Sequence, residues 1–271
     1  MPVEVLKDRD LLRSFLTRDR VGNAYLLGDL DPAYLPFCDW FGHFNEDRQL
    51  DALILLYKGL SLPVVLTVGP PKEDEASRRG LTEIFDAVHG QLPESFWVHT
   101  WEHHLGTLDA HFSAGHLNRM IRMGLSRENY RPSNAEVRVR RLDHPDTAAI
   151  MALYRYYPDN FFEPYQLESG LYFGVDVDKG RGLAAIAGIH VFSQAYDIAA
   201  IGNLVTHPDH RRHGYATAVT TRLLDELFKS VSLVTLNVQE GNMAAIGTYE
   251  KFGFTHHHIY HEGRVTRRQN T

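Results

Sequence analysis

The sequence predicts an α/β chain with a mixed central sheet, laid out as two halves that repeat one order of elements. Three observations carry this. Short apolar or alternating stretches interleave with longer segments of helical periodicity. The order β-α-α-β-β-β-α-β-α-β can be written along each half. A polar stretch with one proline, Ser126 to Glu136 (SRENYRPSNAE), separates the two. The expected domains are residues 1–130 and 131–271.

In the second half, Val137 to Leu142 alternates and predicts a strand. Pro145 to Tyr157 predicts a helix, with Pro145 and Asp146 at its start, and Asn160 to Ser169 a second, short one. Leu171 to Val177 and Leu183 to Phe192 read as strands joined by the turn DKGRG. Ile198 to Thr206 is a third strand. After HPDHRRHG comes a helix from about Tyr215 to Ser230, with Val219, Leu223, Leu224, Leu227 and Phe228 at helical spacing. Leu233 to Gln239 is a strand, Asn242 to Phe252 a helix closed by Gly253, and Thr255 to His261 a last strand. The first half reads similarly. Strands are expected at Val3–Leu6, Trp40–Phe44, Leu50–Tyr57, Leu62–Val68, Phe96–Trp101 and Arg119–Leu125. Helices are expected at Arg9–Thr17, Gly22–Leu30, Glu73–His89 and Leu105–Ala114.

Composition narrows the function. The chain has 271 residues, 28 Lys and Arg, 34 Asp and Glu, and a formal net charge of -6. That balance opposes a general nucleic-acid binder, which needs a basic surface. Apolar stretches such as Ala52 to Tyr57 are far shorter than the roughly 20 residues of a membrane helix. Met-Pro-Val-Glu-Val has no basic region followed by an apolar stretch. A cytoplasmic protein without membrane or nucleic-acid partners is expected. The single cysteine, Cys38, excludes an internal disulfide and a Cys-rich metal site. The 16 histidines include His207, His210 and His213 and the run His256 to His258. Neither set has the H-E-x-x-H pattern, and adjacent strand residues point to opposite faces. No metal is expected.

The chemistry concentrates in Asn203 to Thr217, N-L-V-T-H-P-D-H-R-R-H-G-Y-A-T. A β-branched strand enters a short loop that opens directly into an amphipathic helix. The first turn of a helix carries unpaired N–H groups and a positive dipole end, which together suit an anion such as a pyrophosphate. Gly214 lets backbone approach the phosphates, and Arg211, Arg212 and His213 add charge. The first half has G-P-P-K-E-D-E at the corresponding place, where two prolines remove donors and three acids repel phosphate. No such ligand is expected there.

Arg211-x-x-Gly214-x-Ala216 resembles the R/Q-x-x-G-x-G/A loop of the GCN5-related N-acetyltransferases. The upstream V-T-H-P-D-H is similar to that family's entry from its fourth strand. Leu236-Asn237-Val238 and Asn242-x-x-Ala245-x-x-x-Tyr249-x-Lys251-x-Gly253-Phe254 resemble its next strand and helix. The resemblance covers about Val137 onward and implies an acetyltransferase-like fold with strands four and five splayed; the repeated order of elements suggests that this fold is duplicated in tandem. It implies that acetyl-CoA is the acyl donor. Backbone at Leu204, Val205 and Thr206 would pair with its pantetheine arm. The amides of Arg212, His213, Gly214, Tyr215, Ala216 and Thr217, beside Arg211, would hold the pyrophosphate. Asn242 would bond the pantetheine or phosphates. Tyr249 would protonate the departing thiolate, and a backbone N–H near Val205 would receive the oxyanion. The implied reaction is direct acetyl transfer to an amine acceptor. The alternative is a non-catalytic acyl-CoA-binding regulatory protein.

The sequence departs from that family's pattern at Arg212, where many members carry Gly. It also has Asn203 where a carboxylate base would stand. His190 and Glu163 are the remaining base candidates, against readings of a structural histidine and a solvated acid. Tyr249 can equally be a core residue, and Asn242 can simply cap its helix. The aromatics Tyr154, Tyr156, Tyr157, Phe161, Phe162, Tyr165, Tyr172 and Phe173 divide between core packing and an acceptor wall. The acceptor and the oligomeric state, a homodimer included, are left open.

Overall fold

The computed structural model describes residues 2–69, 75–134, 136–158, 162–177 and 182–269, with the side chains of 75–77 excepted. It divides into two compact units. Unit 1 is Met1–Arg122, Gln239–Gly241 and His257–Thr271; unit 2 is Met123–Val238 and Asn242–His256. Each is a mixed α/β assembly, and the described strand pairs of each include antiparallel and parallel ones.

Unit 1 contains β1 (Val3–Leu6), α1 (Arg9–Leu16), α2 (Ala24–Asp29), β2 (Cys38–Phe44), β3 (Leu50–Tyr57), β4 (Val64–Val68), α3 (Glu75–Val88), β5 (Ser95–Trp101) and β6 (Phe112–Ala114). Its strands lie in the order β1-β2-β3-β4-β5, followed by β13 (Thr255–Arg267). β4 and β5 run parallel. Asp8 caps α1 by accepting the N–H groups of Asp10 and Leu11, and so satisfies two amides that a helix start leaves open. Leu81, Ile84, Phe85 and Val88 recur at helical spacing on α3, all nearly inaccessible, and pack with Ile54, Val65, Phe96 and Phe112.

The segment expected as a helix at Leu105 to Ala114 is different. It is a 3-10 turn, Glu102–Leu108, followed by β6. The partner of β6 is β13, about 150 residues later, with Ala114 opposite Val265. A pairing so remote leaves no local signal. The strand β7 (Asn118–Ser126) carries the chain out of unit 1, and the boundary falls at Arg122.

Unit 2 contains β8 (Arg140–Arg141), α4 (Thr147–Tyr154), β9 (Phe173–Asp176), β10 (Leu183–Ser193), β11 (Ile198–Thr206), α5 (Tyr215–Leu227), β12 (Leu233–Gln239) and α6 (Met243–Phe252). The order is β12-β11-β10-β9-β8, with β11 and β12 parallel. The strand expected from Val137 shrinks to two residues, because β9 offers partners only at Gly174 and Phe173. The helix expected from Pro145 begins as a 3-10 turn, His144–Asp146, and the short second helix is a 3-10 turn, Pro164–Ser169. The start of that segment and the DKGR of the DKGRG turn lie outside the described residues. Val219, Leu223, Leu224 and Leu227 on α5 are fully buried, and Phe228 follows them.

Gly253 ends α6 in the left-handed region, at φ 99°. A Cβ there would stand 2.2 Å from the carbonyl oxygen of Asn129. We expect Gly253→Ala to cost more than about 2 kcal/mol in urea unfolding. Gly247, inside α6 with open space around it, should gain about 0.5–1 kcal/mol as Ala. Equal effects would show that helix propensity, and not the cap, decides both.

Candidate active site in unit 2

The site starts at an irregularity in β11. Gly188 pairs with Gly202 and Ile186 with Val205, so Asn203 and Leu204 together face the single Ala187. This is a β-bulge, and its first residue, Asn203, has φ 55°. Asparagine tolerates the left-handed region better than most side chains. Buried polar bonds hold it there. Asn203 Nδ2 donates to Tyr172 Oη at 2.9 Å, and Tyr154 Oη donates to the Asn203 carbonyl at 2.9 Å. Tyr172 in turn donates to the carbonyl of Ile189 at 3.0 Å. Parallel pairing of β11 with β12 runs only from Ile198–Ile201 against Leu233–Leu236. Just before the bulge, the strands part.

A cleft of about 510 Å³ opens where they part. Leu204, Val205 and Thr206 form one wall. Arg211, Arg212, Gly214, Tyr215, Ala216 and Thr217 form its end, and Asn242 and Tyr249 come from the α6 side. Arg212 and Gly214 both lie in the left-handed region, at φ 64° and 76°. Loops that alternate into that region build backbone nests for anions. Gly214 is also the N-cap of α5, and no side chain caps the first-turn amides. Those donors face the same cleft end as two guanidinium-bearing residues.

Backbone conformation governs both residues. At Arg212 the backbone is in a region that favours glycine, so a non-Gly residue is held there under strain of about 1–2 kcal/mol. At Gly214 a Cβ would meet no protein atom within 4 Å. Glycine is required there for its φ.

The remaining candidates fall into three places. Asn242 caps α6, its Oδ1 accepting the Ala245 N–H at 3.2 Å, and it lines the cleft as well. Tyr249 is buried, and burial pushes its phenol up to about 12. His213, His190 and Glu163 do not line this cleft. His213 is exposed and stacks on Tyr215. His190 is the extra residue of a second bulge, between the pairs Ile189–Ile201 and Val191–Ala200, and its ring covers Gly202. Glu163 forms a capping box with Gln166 at the start of the 3-10 turn.

The aromatic segment splits as well. Tyr154, Tyr172 and Phe173 are core, and Phe162 packs on the first two. Phe161 lies outside the described residues. Tyr157 lines the cleft; its hydroxyl donates to the Thr206 carbonyl and accepts from Arg211 Nη2 at 2.9 Å. Tyr156 is exposed, with its ring edge-on to His207. Thr220 and Thr248, which carried no motif, also line the cleft, as does His210, noted in the sequence only within V-T-H-P-D-H and among the spaced histidines. Thr220 Oγ1 is buried without a hydrogen-bond partner. Its spacing of three from Thr217, which puts both on one helix face, was the available signal.

Replacing Arg212 by Gly should relieve the loop. We expect a stability gain of about 0.5–1 kcal/mol, after the entropy cost of glycine in the unfolded chain. Thermal unfolding measures it, and a loss would refute the strain.

Residues 137–254 match the family model described as "Acetyltransferase (GNAT) family". Solved structures resemble the whole chain. A Drosophila protein aligns at 15% identity over 100% of this chain and 99% of its own, with a TM-score of 0.65. A GCN5-related N-acetyltransferase from Sphaerobacter thermophilus aligns at 14% identity over 98% and 95%, with a TM-score of 0.63. A tandem GNAT protein from the clavulanic acid biosynthesis pathway aligns at 14% identity over 99% of both chains, with a TM-score of 0.56. At these identities the likeness is one of fold. No curated protein matches the chain. The stretch that builds the bulged strand, the loop before α5 and the cleft is therefore the part of the chain that matches the GNAT acetyltransferase family, residues 137–254.

Proposed function

We propose that unit 2 binds acetyl-CoA in the cleft and transfers its acetyl group directly to an amine. One observation carries this reading. The uncapped start of α5, behind a loop with two left-handed residues, opens into the gap where β11 leaves β12. Anion-holding amides at one end of a gap beside a free strand edge fit a ligand with a pyrophosphate and an extended amide arm. The arm would add to β11 at Leu204 to Thr206 as an extra strand does.

In the reaction the neutral amine attacks the thioester carbonyl. A C–N bond forms, the C–S bond breaks, sulfur leaves as thiolate and the nitrogen gives up a proton. Tyr249 is the donor for the sulfur. Its phenol near 12 is a weaker acid than a thiol near about 8.5. Complete transfer from the phenol is therefore uphill. Tyr249 acts by a hydrogen bond to the departing sulfur, and the amine's own proton ends on it. No carboxylate or histidine in the cleft is assigned as base: His190 and Glu163 stand elsewhere, and an amine that arrives neutral needs none. Tyr156 and His207, beside the cleft residue Tyr157, offer an aromatic rim for the acceptor. No described helix is long and apolar enough to cross a membrane, and we place the reaction in the cytoplasm.

Two variants test the reading. Calorimetry with acetyl-CoA should show binding by the wild type that Gly214→Val weakens at least about 100-fold, since valine rarely adopts a positive φ. Unchanged affinity would remove the loop from the site. Thiol release against an amine panel should fall by about 100-fold or more in Tyr249→Phe, with acetyl-CoA affinity within about threefold. Equal losses of both would make Tyr249 a packing residue. Binding without turnover on any amine would favour a regulatory acyl-CoA binder.

A further inference from the structure

Unit 1 holds a separate cluster of metal-ligating side chains. Asp19 ends a 3-10 turn, Thr17–Asp19, and His257 and His258 stand on β13. His257 Nε2 lies 2.8 Å from Asp19 Oδ1. One ligand atom from each of Asp19, His257 and His258 lies within 4.8 Å of the others. Neighbours on a strand ordinarily face opposite sides, yet these two imidazole rings are 5.1 Å apart and both reach Asp19.

Two further observations point into the same space. Both ring nitrogens of His258 are buried without a hydrogen-bond partner, while its ring lies 4.3 Å from that of Trp101. A buried imidazole with neither nitrogen engaged calls for a ligand or a water. Gly22 forms the wall. A Cβ on it would stand 2.2 Å from Asp19 Oδ2 and 2.9 Å from His258 Cε1, and its own N–H donates to Asp19 Oδ1 at 2.9 Å. The backbone thus approaches the carboxylate and the imidazole as closely as only glycine permits.

We propose that Asp19, His257 and His258 bind a divalent transition-metal ion of the zinc type. Two imidazole nitrogens and one carboxylate are a set that zinc takes tetrahedrally, with water in the fourth position. Magnesium and calcium prefer oxygen ligands and are not matched by it. On binding, His257 Nε2 exchanges its contact with Asp19 for the ion, and its ring proton resides on Nδ1. The guanidinium of Arg122, stacked over Tyr25 and Tyr260, acts on His258 through space. That positive charge opposes a cation and keeps the affinity moderate.

The test uses the full chain, freed of metal by chelation and titrated with zinc chloride. Cobalt(II) serves as a spectroscopic substitute, since tetrahedral coordination gives it strong visible absorption. The expected result is one equivalent of zinc bound, with a raised melting temperature and no response to magnesium. Asp19→Asn and His258→Ala should each weaken binding at least about tenfold. His256→Ala is the control. His256 is exposed, pairs with Glu250 at 3.3 Å, and belongs to the same histidine run. It should leave zinc affinity unchanged. If His258→Ala unfolds the chain, Asp19→Asn decides alone. Binding that Asp19→Asn does not weaken, binding lost equally in His256→Ala, or no binding at about 100 μM zinc would each overturn the site.

Discussion

The cleft of unit 2 depends on one strained residue. Asn203 sits at a positive φ in the middle of an otherwise regular strand. It stays there because its side chain donates to Tyr172 and its carbonyl accepts from Tyr154. Both tyrosines belong to the core. The bulge gives β11 an extra residue against β10, which bends the strand and raises its twist. Two positions earlier, pairing with β12 has already ended. The free edge from Leu204 to Thr206 follows from this, as does the room for the α5 loop. Asn203 therefore serves the site through the backbone. Its place on the strand invited comparison with a missing base, but its chemistry is that of a buried hinge in the sheet.

Unit 1 shares with unit 2 three antiparallel strands that lead through a helix to a parallel partner, and it treats the end of that parallel pair differently. β4 and β5 pair at Val64–Leu66 and Trp97–His99. Just beyond, the Thr67 hydroxyl lies 2.8 Å from that of Thr100 and 3.3 Å from His104 Nδ1. Buried side-chain bonds bridge the two strands there. The loop that would follow β4, Pro70 to Asp74, lies outside the described residues. The β13 strand also limits how far either half can be treated as self-contained. It pairs with β5 from Tyr260 to Thr266, so removing the end of the chain would expose β5 as an edge with unpaired backbone groups.

Much of the site was legible in the sequence because its chemistry is local. A strand, a loop with Arg211 and Gly214, and a helix start are contiguous, and Asn242 to Tyr249 is one short helix. Ten of the eleven residues expected to contact the cofactor line the cleft, and only His213 does not. The base candidates did not come with them. Residue type marked His190 and Glu163, but a bulge and a capping box consume them locally. Thr220 was missed, and Tyr157 was read only as one of eight aromatics of the core or the acceptor wall, because a hydroxyl gains its role from what stands opposite. For Tyr157 that is the Thr206 carbonyl, 49 residues away.

The sequence by itself determined the α/β class, nearly every strand and helix, and the glycine-bearing loop that opens into α5. Apolar periodicity, caps and glycine preferences are written into neighbouring residues and act over a few positions. Only the tertiary structure decided that β6 is a strand, that β13 runs on to Arg267 in unit 1, and that β8 stops after two residues. A strand exists only where a partner of the right register is present, and these partners are remote in the chain. The same holds for the gathering of Asp19 with His257 and His258 across 238 residues. Chain connectivity carries no record of that approach; packing in three dimensions creates it.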